Sequence, residues 1–407
     1  MRISKKFTRN LFVIIYCCIF NTQMVNSQII KTFDINSKFL GGKRTIKIWK
    51  PQNFKSEEAT QIIYVFDPLW LFNSVCATVE SYSNYKIDKI PQTIVVGVYY
   101  KNLDDRMDVG YSIQTEKLNK RGKDFFKYVH EEVDSYIKNE FKFTPYRIYV
   151  GWSYLAQYAD YLIENKPDFY DSYILFSPEY KNNNIDYLKL NNKRIYIASA
   201  GKDTQKRNDY ASLLYEKMKR NGNSKVKYEK IANASHMDIY TKAFPYALDF
   251  IYEDYINQNK LYNSKFNSAI DAYAVNEGMN EKYYNTSLRK NAANFLAIAS
   301  MNGDKLTSAD VDSLVFKFRI DKNSDANLLE IIGGFYRETN KNNKAHYFLN
   351  RAIKNYKKNK FLVKDNMTNT YLNLGLLYLG GLKNNKKAFN IFKKDMMIPN
   401  QTCLIIT

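Results

Sequence analysis

Apolar and polar positions change rhythm along this chain, and the change divides it. From residue 28 to about 255, short apolar or β-branched runs alternate with stretches of three- and four-residue spacing. The runs at 45–49, 61–66, 93–99, 146–150, 172–176, 194–198 and 226–231 predict strands. Several are apolar throughout rather than at every second position, as expected where helices cover both faces of a parallel sheet. The stretch 123–139 sets Phe126, Val129, Val133, Tyr136 and Ile137 on one helical face, and 154–164, 209–220 and 237–255 predict further helices. This alternation predicts a mostly parallel, doubly wound α/β domain over residues 28–255.

After residue 255 the strand rhythm stops. Residues 256–285 read as a polar linker, and 286–407 as helices alone. Leu329, Ile332, Gly333, Tyr336, Ala345, Leu349 and Ala352 have the spacing of a tetratricopeptide repeat, in which small residues sit where two antiparallel helices touch. A second copy reads Tyr371, Leu374, Gly375, Tyr378, Ala388 and Phe392, with one more residue between its helices. Residues 288–299 form a candidate for an earlier, degenerate unit. The expectation is an α/β domain followed by an all-α helical-repeat domain, with a protein or peptide as the partner of the repeats.

The first residues follow another rule. Arg2, Lys5, Lys6 and Arg9 precede an apolar run at 11–20 and the small-residue exit Val25-Asn26-Ser27. This is the layout of a secretory signal peptide over residues 1–27, with an apolar core shorter than the roughly 20 residues that span a bilayer. The mature protein is therefore expected to be exported, periplasmic or secreted, without a transmembrane segment. Removing the segment takes away Cys17 and Cys18 and leaves Cys76 and Cys403, which form no disulfide framework or metal motif. No metal and no cofactor are expected.

Composition changes the picture little. The 407 residues are 45% hydrophobic and 25% charged, which excludes a disordered or collagen-like chain. Lys+Arg 61 against Asp+Glu 41 gives a net charge of +20, and four of those positive charges lie in the leader. A basic balance raises nucleic acid or an anionic polymer as a partner. The same chain is rich in Asn, Ile and Tyr and poor in Gly and Pro, the profile of an AT-rich coding sequence, so no nucleic-acid partner is expected.

The chemistry lies around residues 146–156. A strand runs into Gly151-Trp152-Ser153, and a helix begins at once with Tyr154-Leu155-Ala156. This is the strand–turn–helix context of a nucleophile elbow, which sets a serine on a sharp turn at the sheet's carboxyl edge. The usual second glycine, two residues after the serine, is replaced by Leu155. Three histidines are candidates for the base. His130 and His346 fall inside predicted helices, whereas His236 follows the strand 226–231 through a short loop, on the serine's side of the sheet. An acid should hold the imidazole, and Asp203, just past strand 194–198, is the first choice, ahead of Asp209 and Asp238. The chain order Ser153, Asp203, His236 is that of α/β-hydrolases.

With these landmarks in place, residues 36–255 resemble the esterase D-like family of α/β-hydrolases, related to S-formylglutathione hydrolases, enterochelin-type esterases and feruloyl or acetylxylan esterases. The matching stretches are Ser37-Lys38-Phe39-Leu40-Gly41 with Arg44, residues 62–72, residues 90–98, Arg106-Met107-Asp108, the elbow, Ser177-Pro178 and His236. The resemblance implies an α/β-hydrolase fold and a serine esterase acting on a small ester without a cofactor. It also implies that Phe66-Asp67-Pro68-Leu69 closes an oxyanion hole, with the Leu69 and Tyr154 N–H groups as donors. Pro68 stands where the family carries glycine. Helical repeats appended to such an esterase also occur among the family's architectures. The competing expectations are a catalytically impaired hydrolase fold acting as a binding protein through its repeats, and a basic polymer binder.

Overall fold

The apolar runs become the strands of one sheet. The computed structural model describes residues 29–396 except 53, 55, 57–59, 85–86, 110–117, 142, 180–185, 191, 258–259, 261–267, 287–293, 296–297, 299–306, 318, 321–324 and 359–364. The signal segment, Cys403 and most of 288–299 lie outside the described residues. The chain divides into two units, Met1–Glu253 and Asp254–Thr407.

In the first unit the strands are β1 (Ile29–Asn36), β2 (Lys43–Lys50), β3 (Thr60–Val65), β4 (Thr93–Val98), β5 (Phe143–Trp152), β6 (Ser172–Phe176), β7 (Arg194–Ala200) and β8 (Val226–Ile231). Their spatial order is β1-β2-β4-β3-β5-β6-β7-β8. The six strands from β3 onwards run parallel, and the β1–β2 hairpin adds antiparallel to β4. This is the mostly parallel sheet of an α/β-hydrolase. Strand β1 is an addition to the predicted set. Its inward residues Phe33 and Ile35 are separated by Asp34 and flanked by Thr32 and Asn36, a half-polar alternation suited to an edge.

Pleating sends alternate residues to opposite faces. Ile62, Tyr64, Phe66, Ile94, Val96, Tyr149, Tyr173 and Leu175 enter one core cluster. It is closed by α3 (Lys120–Lys127), a π-helical turn (Tyr128–Val133), α4 (Asp134–Glu140), α5 (Tyr154–Gln157), α6 (Ala159–Asn165) and α7 (Gln205–Arg220). On the other face, α1 (Pro68–Ser83) packs beside α8 (Ile239–Ile251). Helix α1 buries Leu71, Phe72, Val75, Cys76 and Val79, and each such side chain contributes roughly 1.5–3 kcal/mol when fully buried. The short α2 (Leu103–Asp108) follows β4 and is capped by Asn102.

The crossing from β4 over β3 to β5 creates the sheet's switch point, where α/β folds hold their ligands beyond the strands' carboxyl ends. Val65 pairs with Val150 across β3 and β5. Leu69 and Tyr154 each follow that pair by four residues, so the two helices they open start side by side.

The second unit contains α9 (Ala269–Tyr284), α10 (Ser308–Lys317), α11 (Ala326–Glu338), α12 (Asn342–Lys358), α13 (Asp365–Leu376) and α14 (Asn385–Met396). Residues 256–285, expected as linker, thus hold a helix, with Ala269, Ala272 and Tyr273 in the helical core. Its polarity is misleading. Buried Asn280 bonds both the N–H and the carbonyl of Ile256, and buried Asn276 bonds the Ala272 carbonyl, so these amides are satisfied inside.

At the two predicted helix contacts, a Cβ on Gly333 would lie 2.7 Å from Leu349 Cγ, and one on Gly375 would lie 2.3 Å from the Phe392 ring. A π-helical turn at Leu377–Gly381 extends α13. Among the described residues no helix is long and apolar enough to cross a membrane.

Candidate active site

Ser153 follows β5 directly and adopts φ +56°, ψ −121°, a conformation that a side chain tolerates only when its surroundings enforce it. The enforcing contacts are visible. The Ser153 N–H donates to the Phe176 carbonyl at 2.9 Å, and the Ser153 carbonyl accepts from the N–H groups of Ala156 and Gln157. Gly151 is required by the helix start rather than by neighbouring strands, as a Cβ there would stand 2.3 Å from the Leu155 carbonyl oxygen. That carbonyl also accepts the Tyr149 hydroxyl.

Two loops carry the other groups to the same edge. Gly201 and Lys202, past β7, donate their N–H groups to the carbonyls of Ile231, the last residue of β8, and Ala234, past it. A Cβ on Gly201 would meet the Ala232 carbonyl at 2.4 Å, so the loops touch backbone to backbone. The result is a hydrogen bond of 2.7 Å between Asp203 Oδ2 and His236 Nδ1. A carboxylate only accepts, so Nδ1 carries the proton and Nε2 keeps its lone pair.

The Asp203 side chain is almost fully buried. Burial works against its charge, but the Thr204 N–H at 2.8 Å, His236 and Arg207 outweigh it and hold the carboxyl below its ordinary range. His236 is also held below its ordinary value, because burial outweighs the stabilisation that Asp203 gives the imidazolium.

Trp152 ties the turn at Ser153 to His236. Its Nε1–H donates to the His236 carbonyl at 3.0 Å, and its ring lies 4.8 Å from the imidazole between centroids. No hydrogen bond joins Ser153 Oγ to the imidazole, a contact that sites without substrate often leave long. Leu69 and Tyr154 occupy first-turn positions of α1 and α5, where backbone N–H groups have no intrahelical acceptor.

The remaining sequence candidates are elsewhere. Asp209 accepts from Gln205 on the exposed side of α7, and Asp238 is held to Ser235 and Lys242. His130 is packed between Phe126 and Phe169, with Nδ1 on the Phe126 carbonyl at 2.6 Å. His346, in the second unit, bonds the Tyr378 hydroxyl at 2.7 Å. Among the described residues no cluster of three His, Cys, Asp or Glu side chains is arranged to hold a metal.

A family model described as "Putative esterase" matches residues 37–243, half of the chain. The chain belongs to the putative esterase family. A search of curated proteins gives no match. Among solved structures, it is similar to an IroE-like serine hydrolase from Shewanella oneidensis, at 14% identity and a TM-score of 0.56, over 72% of this chain and 100% of that one. An uncharacterised protein from Capnocytophaga ochracea aligns over 92% of this chain and 95% of its own, at 16% identity and a TM-score of 0.49. At 14% identity the likeness to the first of these establishes the fold.

Within this family member both departures from the expected motif have a local explanation. Leu155 is fully buried and enters the core cluster, so its side chain turns away from the elbow. Pro68 takes the first turn of α1, where a missing N–H costs nothing and the fixed φ suits a helix.

Sequence reasoning found no role for Asp67 and Arg106, which form a two-pronged ion pair at the start of α1. Arg106 Nε lies 2.5 Å from Asp67 Oδ1, and Nη2 lies 3.0 Å from Oδ2. The guanidinium stands 5.1 Å from the Trp70 ring and 5.8 Å from the Trp152 ring. Burial pushes the Asp67 carboxyl up to about 7 against the pull of Arg106. The pair joins residues 39 positions apart, so only the shared presence of Phe66-Asp67-Pro68 and Arg106-Met107-Asp108 in the family pattern hinted at it.

Proposed function

We propose that this esterase-family chain is an exported serine esterase that hydrolyses a carboxylic ester through an acyl-enzyme. The observation carrying the reading is the 2.7 Å Asp203–His236 contact at the sheet edge where Ser153 sits on its strained turn. Ser153 Oγ attacks the ester carbonyl while His236 Nε2 takes its proton. The tetrahedral oxyanion is received by the Leu69 and Tyr154 N–H groups, and Asp203 steadies the imidazolium. The proton then passes to the leaving alkoxide, which departs as the alcohol. Water repeats the sequence, with His236 again as base, and releases the acid and free Ser153.

The second unit is read as tetratricopeptide-like repeats that dock a protein or peptide partner. Burial of Leu329, Ile332, Tyr336, Ala345, Leu349 and Ala352 supports that spacing. Export rests on the leader sequence, and amino-terminal sequencing of the secreted protein should begin near Gln28.

The test of the enzyme is hydrolysis of a short-chain p-nitrophenyl ester, with labelling by a fluorophosphonate. Ser153→Ala should abolish labelling and lower the rate by about 10³-fold or more. Equal rates in both proteins would sink the reading. A folded wild type that neither labels nor hydrolyses would favour the alternative, a hydrolase fold retained for binding.

A further inference from the structure

A row of alternating charges leads into His236 from behind. Arg207, on the first turn of α7, places Nη1 3.2 Å from Asp203 Oδ1 and Nη2 3.3 Å from Glu179 Oε1. Asp203 uses its other oxygen for His236. Glu179 lies just past β6, Asp203 past β7 and His236 past β8, so Glu179–Arg207–Asp203–His236 strings three strand ends together. Arg207 Nε is buried without a partner, which leaves the two carboxylates as this cation's compensation. None of the proposed chemical steps uses Arg207 or Glu179.

We propose that Arg207 is a positioning residue that sets the basicity of His236 by drawing on the charge of Asp203, with Glu179 as its counterweight. The role in catalysis rests on the esterase reading; the electrostatic coupling does not. An Asp203 carboxylate facing His236 alone would stabilise the imidazolium in full. A cation on its second oxygen cancels part of that field and keeps the imidazole neutral, hence able to accept a proton, to lower pH.

The signs agree with the state of His236, which is held below its ordinary value. Burial leads, Arg207 acts in the same direction, and Asp203 and Glu179 act against both. Trp152 covers one side and packs against Tyr240, and Asp238, two residues on, is committed to Ser235 and Lys242.

The chain has three histidines, so selective labelling lets each imidazole be titrated by NMR in the full-length protein. Arg207→Gln should raise the His236 midpoint by about half a unit to one unit, Glu179→Gln should lower it, and Arg207→Lys should restore it towards wild type. The acid limb of kcat/KM on the p-nitrophenyl ester should move with each midpoint. Midpoints unchanged within 0.2 unit (roughly the resolution needed against shifts of this size), or moved in the same direction by both charge removals, would overturn the proposal. If Arg207→Gln fails to fold, Arg207→Lys and the half-buried Glu179→Gln still decide it. Loss of the esterase reading would show separately, as wild-type hydrolysis by Ser153→Ala, because the titration needs no turnover.

Discussion

Gly151→Ala tests whether the elbow is enforced by the backbone contact described above. The added Cβ would lie 2.3 Å from the Leu155 carbonyl oxygen, 2.7 Å from its carbon and 2.8 Å from Tyr149 Cε1. Relief to an ordinary contact needs a displacement of about 1 Å, given normal carbon–oxygen separations near 3.3 Å. The Leu155 carbonyl is fixed by the Tyr149 hydroxyl, and the turn by the Ser153 N–H bond to Phe176. Breaking both loses about 1 kcal/mol each, and stranding the fully buried Tyr149 hydroxyl adds about 1–3 kcal/mol. A loss of roughly 3–5 kcal/mol should lower the melting temperature of the first unit by about 6–20 °C, at 2–4 °C per kcal/mol for a domain of its size. If the chain is the proposed esterase, a 1 Å misplacement of Ser153 should also cost about 10²-fold in kcat/KM. Calorimetry and p-nitrophenyl ester hydrolysis measure the two effects. A variant with wild-type melting would refute the steric argument, whatever its activity.

Two further outcomes are expected. Burial holds His130 at about 4, below the 6.5 of an exposed imidazole, so between these values the unfolded chain takes a proton that the folded one refuses. Its contribution is intact above pH 6.5 and is lost as pH falls towards 4, by up to about 3 kcal/mol at 1.36 kcal/mol per unit. Urea midpoints at pH 7 and 4.5 should therefore diverge less in His130→Phe than in wild type, and equal divergence would count against the assignment. In the second unit one substitution should have opposite signs at two sites. Gly278→Ala adds a methyl where nothing lies within 4 Å and should stabilise by about 0.5–1 kcal/mol, whereas Gly333→Ala pushes into Leu349 and should cost about 1–3 kcal/mol. Like signs in thermal melts would contradict the packing of α11 on α12.

Much of the first unit was legible because its strands are buried on both faces and so appear as unbroken apolar runs. The elements that escaped have mixed patterns. Strand β1 is an edge strand with polar residues at alternate positions, and α1 begins at a proline only two residues after β3 ends. Helix α9 carries its inward asparagines on a face that an apolar count rejects. At the site, Ser153 and His236 were legible from the element each one follows, since a strand end fixes which edge a residue occupies. Arg207 and Asp67–Arg106 were not, because their meaning depends on which charge lies opposite. Arg207 is four residues from Asp203 in sequence, yet its second partner, Glu179, comes from another strand end.

The two halves of the site meet at Trp152. On one side its ring receives the Arg106 guanidinium, whose partner Asp67 opens α1 and thereby sets where the Leu69 N–H stands. On the other it lies against His236 and bonds that residue's carbonyl. A shift of Trp152 would disturb the start of α1 and His236 together, so the turn at Ser153 couples two segments of the sheet edge. The substitutions at Pro68 and Leu155 fall outside this chain of contacts, one on a helix position that needs no N–H and the other on a side chain turned into the core. They change the appearance of the motif while leaving in place the contacts that hold Ser153, Asp203 and His236 at one edge.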